Sequence, residues 1–190
     1  MLFLACKNEY SILIMKVKQI STGIYIKDQE IIAIELHPKE DCFVRVLTYG
    51  AIIQNFVVLN KFGNRQDIVL GFDQVKDYLS ADYLANYPYL GSIIGRYANR
   101  IKDANFTLDY KNYNLAQNAD LDFIHGGLEG FDKKNWQITN IEEEPNPCVT
   151  LGYFSKAGEE GFPGNLNVEL KFTFTADLAL SLCYSASTDQ

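Results

Sequence analysis

The sequence predicts an all-β protein with the layered architecture of a β-sandwich, and three observations support this prediction. Short apolar runs separated by turn residues recur along most of the 190 residues, as they do in all-β proteins. Near the C-terminus, two segments alternate between apolar and polar residues, which is the pattern of strands with one buried face. Phenylalanine and tyrosine are abundant, with 12 of each, and aromatic residues pack well in sheets. Several short strands joined by long loops favour a sandwich.

The apolar runs that precede these two segments are each predicted to form a strand. They lie at residues 31–36, 43–47, 52–59, 67–71, 106–110, 136–141 and 149–154. The run at 67–71 is expected to be a short buried strand, and residues 60–64 are expected to turn before it. Only residues 73–84, and less clearly residues 85–90, have the spacing of a helix.

The two C-terminal segments are predicted to form a hairpin. Apolar and polar residues alternate through residues 168–175 and again through residues 178–184, with a turn at 176–177. The sequence stops six residues after Tyr184 without a closing element, so the sandwich is expected to be incomplete at the C-terminus and to have an open edge. The isolated chain is accordingly expected to self-associate or aggregate.

The composition limits the classes of partner. A fraction of 47% hydrophobic and 22% charged residues is ordinary for a soluble globular protein. The formal net charge of −7 argues against a nucleic-acid partner, because neutralising phosphates requires a basic surface. No apolar run reaches the length of a transmembrane helix, so no membrane span is expected. A neutral small molecule is the expected ligand.

The N-terminal region is predicted to differ from the rest of the chain. Residues 1–15 are expected to be a leader or non-structural segment, and residues 16–190 to belong to a single domain. Met15 is a second possible start that leads directly into the patterned sequence, which favours a cytoplasmic location. Cys6 ends a short apolar stretch that is similar to a bacterial lipoprotein cleavage site, but the stretch is too short for a signal peptide and lacks a basic region. A lipoprotein or periplasmic protein whose true start lies upstream of Met1 remains the alternative.

None of the four cysteines has the spacing of a metal site. Outside the leader, the cysteines are expected to be buried or partly buried free thiols. These residues are Cys42, Cys148 and Cys183.

Three stretches carry the residues suited to chemistry. Residues 123–132 contain His125, one of only two histidines, followed by two glycines and flanked by carboxylates. A histidine beside such a tight turn can exchange hydrogen bonds with a polar ligand near neutral pH. Residues 89–101 place two arginines and an asparagine between glycines, and these side chains supply the donors and acceptors that a ring of hydroxyls needs. Residues 158–164 form a turn-rich connection whose carboxylates are candidates to face a ligand.

Taken in order, these stretches resemble segments of the aldose 1-epimerases, also called galactose mutarotases. The resemblance runs from about residue 19 to residue 187 and rests on six ordered matches, which are together far more specific than any one of them. The matching segments are residues 48–51, 67–73, 95–101, 124–127, 131–133 with Trp136, and 158–164.

The resemblance implies a large twisted β-sandwich, the supersandwich of that family. It also implies the interconversion of the α and β anomers of free aldohexoses such as glucose and galactose, with no cofactor or metal. By the same resemblance, Asn99 and Arg100 contact the sugar. His125 lies in the pocket and helps to hold the sugar near its ring oxygen.

The sequence departs from the family in its proton-transfer groups. The family's general acid is a second histidine in a Thr-Asn-His segment after the hairpin, and its general base is a glutamate nearer the C-terminus. The 190 residues contain neither segment, so the chain is expected to be an N-terminal portion that holds the sugar-binding half and is inactive alone. The other histidine, His37, precedes Pro38, matches nothing catalytic and is expected to be exposed or to act as a cap.

Two alternatives to a free-hexose epimerase stay open. The first is a non-catalytic carbohydrate-binding module, or a truncated remnant of the same fold. The second keeps the fold but takes a hexose 6-phosphate as substrate, and the acidic net charge and the matches at Asn99, Arg100 and His125 weigh against it. The sequence leaves the oligomeric state open.

Overall fold

A computed structural model describes residues 16–190 of the chain. The predicted leader at residues 1–15, with Cys6, lies outside the described residues, so the leader, the domain boundary at residue 16 and the cytoplasmic location stay predictions. Thirteen strands and one short α-helix are described. The strands are β1 Val17–Ile26, β2 Gln29–Lys39, β3 Cys42–Leu47, β4 Ile53–Leu59, β5 Arg65–Asp67, β6 Arg100–Ile101, β7 Asn105–Leu108, β8 Lys111–Asn114, β9 Phe123–Ile124, β10 Gln137–Glu142, β11 Cys148–Ser155, β12 Leu166–Phe174 and β13 Leu180–Thr188, and the helix is α1 Ala81–Ala85.

Two antiparallel sheets form the body of the molecule. The first has the order β1-β2-β3-β4-β5 and the second the order β10-β11-β12-β13, so each strand pairs with its neighbour in sequence. Two short ladders, β6 with β9 and β7 with β8, lie in the long connection between the sheets. None of the helices among residues 16–190 is both long and apolar enough to cross a membrane.

The hydrophobic core lies between the two sheets, as the alternating pattern predicts. Ile34 and Val44 of the first sheet and Leu170 and Phe172 of the second are fully buried in one continuous cluster. The predicted β-sandwich is therefore confirmed. Burying each such side chain stabilises the fold by about 1.5–3 kcal/mol.

The second sheet confirms the predicted hairpin with one difference in exposure. In β12 the apolar residues point inward. The strand pairs along its full length with β13, from Leu166 opposite Thr188 to Phe174 opposite Leu180. Tyr184 was expected on the buried face but is 55% exposed, because β13 is the edge strand of its sheet within residues 16–190.

The predicted strand at residues 67–71 is wrong beyond its first residue. Asp67 ends β5, because its carboxylate accepts hydrogen bonds from the backbone N–H groups of Phe56 and Val69, at 2.9 and 3.1 Å, and turns the chain away from the sheet. Ile68 and Leu70 are consequently 58% and 79% exposed.

The predicted helix over residues 73–84 is also only partly confirmed. A 3₁₀ turn, Val75–Leu79, is separated from α1 by Ser80, whose backbone is extended. The Ser80 hydroxyl accepts a hydrogen bond from the Tyr83 N–H at 3.3 Å and so begins a new helix rather than continuing the old one.

His37 contradicts the prediction of an exposed or capping residue. It lies in β2 and is only 7% exposed, and its Nε2 lies 2.8 Å from Oε2 of Glu35. Its ring packs against Phe43, with the centroids 5.3 Å apart. Glu35 and His37 are two residues apart on a strand, so they share one face, and the histidine is a structural partner of the carboxylate.

The predicted state of the cysteines is correct for two of the three described. Cys42 and Cys148 are buried free thiols, whereas Cys183 is exposed. Cys183 lies on the outward face of β13, opposite Lys171, and this position explains its exposure.

Candidate functional site

The short β6–β9 ladder brings the candidate sugar-contacting residues together. Arg100 pairs with Ile124, and Ile101 pairs with Phe123, so the residues that flank the two strands become neighbours. Asn99 and His125 are those flanking residues. The ladder thus places Asn99 and His125 side by side, although 25 residues lie between them in the sequence.

Asn99 and His125 are joined by two hydrogen bonds. The His125 N–H donates to the Asn99 carbonyl at 3.1 Å, and the Asn99 N–H donates to His125 Nδ1, also at 3.1 Å. A backbone N–H can only donate, so Nδ1 acts as an acceptor and the neutral ring carries its proton on Nε2. Nε2 makes no hydrogen bond within residues 16–190, which leaves this N–H available to a ligand.

The two glycines after His125 are required by close packing. Gly126 and Gly127 have φ angles of +91° and +94°, a conformation that favours glycine. A Cβ on Gly126 would lie 1.9 Å from the Gly95 carbonyl oxygen, and one on Gly127 would lie 2.1 Å from a carboxylate oxygen of Glu160. At Gly126 the clash is with a backbone oxygen, so no other residue fits there without moving the backbone, whereas at Gly127 the clash is with side-chain atoms and the positive φ is what favours glycine.

Glu160 and Glu159 support the surrounding loops. The Glu160 carboxylate accepts hydrogen bonds from the N–H groups of Leu128 and Glu129, at 3.0 and 2.9 Å, and so fixes the loop that follows His125. Glu159 accepts from the Tyr153 hydroxyl at 2.6 Å. The carboxylates of residues 158–164, considered as ligand-facing groups from the sequence, therefore have protein partners in the structure.

The two arginines of the 95–101 segment have different environments. Arg96 is half-buried and donates five hydrogen bonds, to Ser155 Oγ and to the carbonyls of Ser155, Lys156, Pro163 and Gly164, at 2.8–3.0 Å. Desolvation lowers its pKa, with Glu159 opposing the shift. Arg100 is 51% exposed, and within residues 16–190 its side chain has one partner, Asp122, at 3.3 Å. Arg96 is thus a structural clamp, and Arg100 is free to bind a ligand.

A cavity of about 470 Å³ lies beside Arg100. Arg96, Ile101, Phe106 and Phe162 also line it, so that two guanidinium groups share the cavity with a partly aromatic wall. His125 is not among the lining residues; its ring contacts Tyr89 instead. The structure therefore brings the backbones of the predicted residues together while their side chains face different neighbours.

A row of aromatic rings ends at His125, and sequence analysis did not identify it. Successive rings pack edge to face, with centroids 4.6 Å apart for Tyr87 and Tyr89 and 4.9 Å apart for Tyr89 and His125. Tyr78 and Tyr83 continue the row into the core beneath the first sheet. Several tyrosines occur between residues 78 and 89, and they were the available sequence signal for this row, but such a pattern is also typical of ordinary core packing.

A buried ion pair lies under the same loop. Asp132 has an exposed fraction of 0% and lies 3.2 Å from the Lys133 ammonium group. Burial raises the pKa of this carboxyl group, and Lys133 counteracts the shift. Burial raises the pKa of the neighbouring Tyr49 and Tyr87 hydroxyls, and the negative charge of Asp132 raises it further. Within residues 16–190, no group of three or more His, Cys, Asp or Glu side chains is arranged to hold a metal ion.

Comparisons with known proteins agree with the fold and with the ordered motifs. The sequence profile of the aldose 1-epimerase family matches residues 33–190. Galactose mutarotase of Bos taurus is 38% identical over 130 residues, which cover 68% of this chain and 35% of that protein. Aldose 1-epimerase of Escherichia coli strain K12 is 33% identical over 147 residues, covering 77% of this chain and 40% of that protein.

Solved structures show the same architecture. Galactose 1-epimerase from Lactobacillus acidophilus NCFM superimposes with a TM-score of 0.79 at 22% identity, over 93% of this chain and 49% of that one. An aldose epimerase homologue from C. elegans superimposes with a TM-score of 0.73 at 26% identity, over 84% and 47%. The chain spans well under half the length of its curated relatives and about half that of the solved structures. With a family profile that matches most of its residues, the chain belongs to the aldose 1-epimerase family.

Proposed function

We propose that this chain forms the sugar-binding part of an aldose 1-epimerase that interconverts the α and β anomers of free aldohexoses such as glucose and galactose. The observation that carries the proposal is the double hydrogen bond between Asn99 and His125. It holds the imidazole with Nδ1 occupied and the Nε2 N–H available, and Asn99 is followed directly by Arg100, whose one side-chain partner within residues 16–190 lies at 3.3 Å. Membership of the family supplies the reaction.

The chemistry assigns a role to each group. During mutarotation the anomeric hydroxyl loses a proton, the ring oxygen gains one, the ring opens, and C1 rotates before the ring closes again. In the proposed complex, the Nε2 N–H of His125 donates to the sugar near its ring oxygen. The Arg100 guanidinium stabilises the negative charge that develops on oxygen, because preorganised donors are most effective where charge develops in the transition state. The Asn99 side chain supplies a donor and an acceptor for hydroxyl groups.

Tyr89 is the proposed support for the apolar face of the sugar. It is half-buried and lies directly against the His125 ring. An aromatic face can cover the C–H groups of a pyranose without specifying which hexose is bound.

We place the general acid and general base of the reaction outside these 190 residues. Mutarotation needs a proton donor and a proton acceptor on one bound sugar. The second histidine, His37, is bonded to Glu35 in β2, and Glu159 and Glu160 are engaged by protein donors near the site. The 190-residue chain is therefore expected to bind hexose and to accelerate mutarotation little or not at all.

Polarimetry on freshly dissolved α-glucose tests the reaction. A version of the protein extended to the length of its relatives is expected to accelerate the approach to the equilibrium rotation, and the 190-residue chain is not. A fast rate from the short chain would contradict the placement of the acid and base. An extended protein that binds glucose but leaves the rate unchanged would favour the non-catalytic carbohydrate-binding module.

Binding of galactose to the 190-residue chain, followed by calorimetry, tests the site. His125→Ala and Arg100→Ala are each expected to weaken binding. Arg65→Ala is the matched control, because Arg65 is similarly exposed and pairs with a single carboxylate, Asp41, in a different part of the molecule. Equal effects from Arg65 and Arg100 would refute the site. Stronger binding of glucose 6-phosphate than of glucose would favour the phosphorylated substrate.

A further inference from the structure

Three residues of the site, His125 and two residues that contact it, share an unusual backbone conformation. Tyr89, Asn99 and His125 have φ angles of +56°, +67° and +51°. This left-handed region costs roughly 1–2 kcal/mol for an ordinary residue, and it is tolerated more readily by asparagine and histidine than by tyrosine. Such strain persists only where surrounding contacts hold the residue in place, and it concentrates at functional sites.

Tyr87 is the residue that holds Tyr89. Their rings pack edge to face with centroids 4.6 Å apart, and the Tyr89 ring in turn packs on His125 at 4.9 Å. Tyr87 is itself fixed at both its polar and its apolar groups. Its hydroxyl donates to the Asp132 carbonyl at 3.4 Å, and the Lys133 ammonium group lies 4.6 Å from the centre of its ring.

Lys133 is held over that ring by Asp132. The carboxylate is completely buried, its two oxygens accept no hydrogen bond from a side chain or backbone group of residues 16–190, and Lys133 is the cation in contact with it. A buried charge without hydrogen bonds is costly and requires a compensating charge close by. This cost fixes Lys133 against Asp132.

The ion pair also lies directly beneath the histidine loop. A Cβ on Gly130 would lie 2.5 Å from Asp132 Oδ1 and 3.1 Å from the His125 carbonyl oxygen. The Asp132 carboxylate and the His125 carbonyl oxygen thus both lie close to the same glycine. Packing connects the pair to His125 both through the two tyrosines and through this glycine.

We propose that Asp132 and Lys133 are positioning residues for His125. The ion pair fixes Tyr87, Tyr87 fixes Tyr89, and Tyr89 fixes the orientation of the imidazole that is presented to the sugar. The assignment of a sugar as the ligand rests on the proposed function. The positioning of the ring is a property of the chain itself and can be measured without a ligand.

Nitrogen-15 NMR of histidine-labelled chain tests the proposal, because the sequence contains only two histidines and each can be assigned by its own substitution. In the unsubstituted chain, His125 is expected to show the Nε2–H form. Lys133→Met is expected to move the His125 ring resonances and to leave those of His37 in place. Lys133→Arg, which keeps the charge, is expected to restore most of the original spectrum.

Lys134→Met is the matched control. Lys134 is as exposed as Lys133, 20% against 19%, but its ammonium group lies 3.7 Å from Glu159 rather than near Asp132. Its removal is expected to leave the His125 resonances unchanged. A folded Lys133→Met chain with an unmoved His125 spectrum, or an equal movement in Lys134→Met, would overturn the proposal.

A double variant covers the case in which Lys133→Met does not fold. Asp132→Asn with Lys133→Met removes both charges, so no uncompensated carboxylate remains buried. It is expected to fold and to show the displaced His125 resonances, and undisplaced resonances would refute the positioning role. Galactose titration of the same samples is expected to show several-fold weaker binding in the displaced variants. If the unsubstituted chain binds no galactose, the proposed function fails, while the histidine spectra still decide the positioning role.

Discussion

The contrast between Arg96 and Arg100 gives the most direct test of the reasoning. Replacing each by methionine keeps an apolar stem and removes the guanidinium group. Arg96→Met is expected to destabilise the fold strongly and Arg100→Met hardly at all, whereas hexose binding should depend on Arg100. The two residues lie four positions apart in the same motif, so the sequence alone does not separate them.

The magnitude follows from the partners of Arg96. Its two bonds to Ser155 reach oxygens of a residue with 0% exposure, and leaving each without its donor costs about 1–2 kcal/mol. Among the other three partners, Gly164 is buried and the loss of the bond to its carbonyl costs about 1 kcal/mol, whereas water can replace the donor to the carbonyls of Lys156 and Pro163. The sum is about 3–5 kcal/mol, a large fraction of the stability of a typical domain.

Urea unfolding measures this difference. With a slope of about 2 kcal/mol per molar urea, the expected loss shifts the midpoint of Arg96→Met by about 2 M. Arg100→Met should lose less than about 1 kcal/mol, because Arg100 is half exposed and has one partner at 3.3 Å. Equal losses in the two variants, or a larger loss for Arg100, would refute the assignment of clamp and ligand-binding arginine.

Three further predictions concern the loops and the buried carboxylate of β2. Gly126→Ala is expected to abolish galactose binding in calorimetry, because its Cβ would lie 1.9 Å from the Gly95 carbonyl oxygen; retained binding would show that the loop can move. Glu160→Gln replaces a carboxylate that accepts two backbone N–H bonds by a group with one acceptor oxygen. Thermal unfolding should show a loss of about 1–2 kcal/mol in stability, and an unchanged stability would contradict this prediction. The hydrogen bond from His37 lowers the pKa of Glu35 from its ordinary value of 4.5 to about 2, although burial opposes this shift. Glu35 therefore stabilises the fold fully above pH 4.5, and this stability is lost as the pH falls from there through about 2. Urea unfolding at several pH values should show up to about 3 kcal/mol of this loss in the unsubstituted chain and a flatter profile in Glu35→Gln; equal slopes would contradict it.

The alternating strands were the most predictable part of the fold. In β12, a period of two identifies the buried residues from Val168 to Phe174, because a half-buried strand presents every second side chain to the core. The run at 67–71 misled because apolar composition alone does not show that Asp67 caps the chain and ends the strand. A carboxylate that accepts from backbone N–H groups overrides the propensity of the residues after it.

The candidate site was predictable in its residues but not in its supports. Asn99, Arg100 and His125 were identified from ordered motifs, and the β6–β9 ladder brings two of them into contact. Tyr89 was not identified, because tyrosines are abundant in this sequence and its contact with His125 depends on tertiary packing. His37 was misjudged because a histidine before proline is typical of a turn, and the buried Glu35 that pairs with it is recognisable only once both are placed on one strand.

The hydrogen bond from the Asn99 N–H to His125 affects how this site can evolve by substitution at position 99. The donor is a backbone group, so the imidazole form is independent of which side chain occupies position 99. The φ angle of +67° nevertheless restricts that position to residues that tolerate it, chiefly glycine, asparagine and aspartate. Position 99 can therefore alternate among a neutral, an acidic and an absent side chain without disturbing the histidine beside it, and in the proposed complex this would change which hydroxyl pattern is accepted.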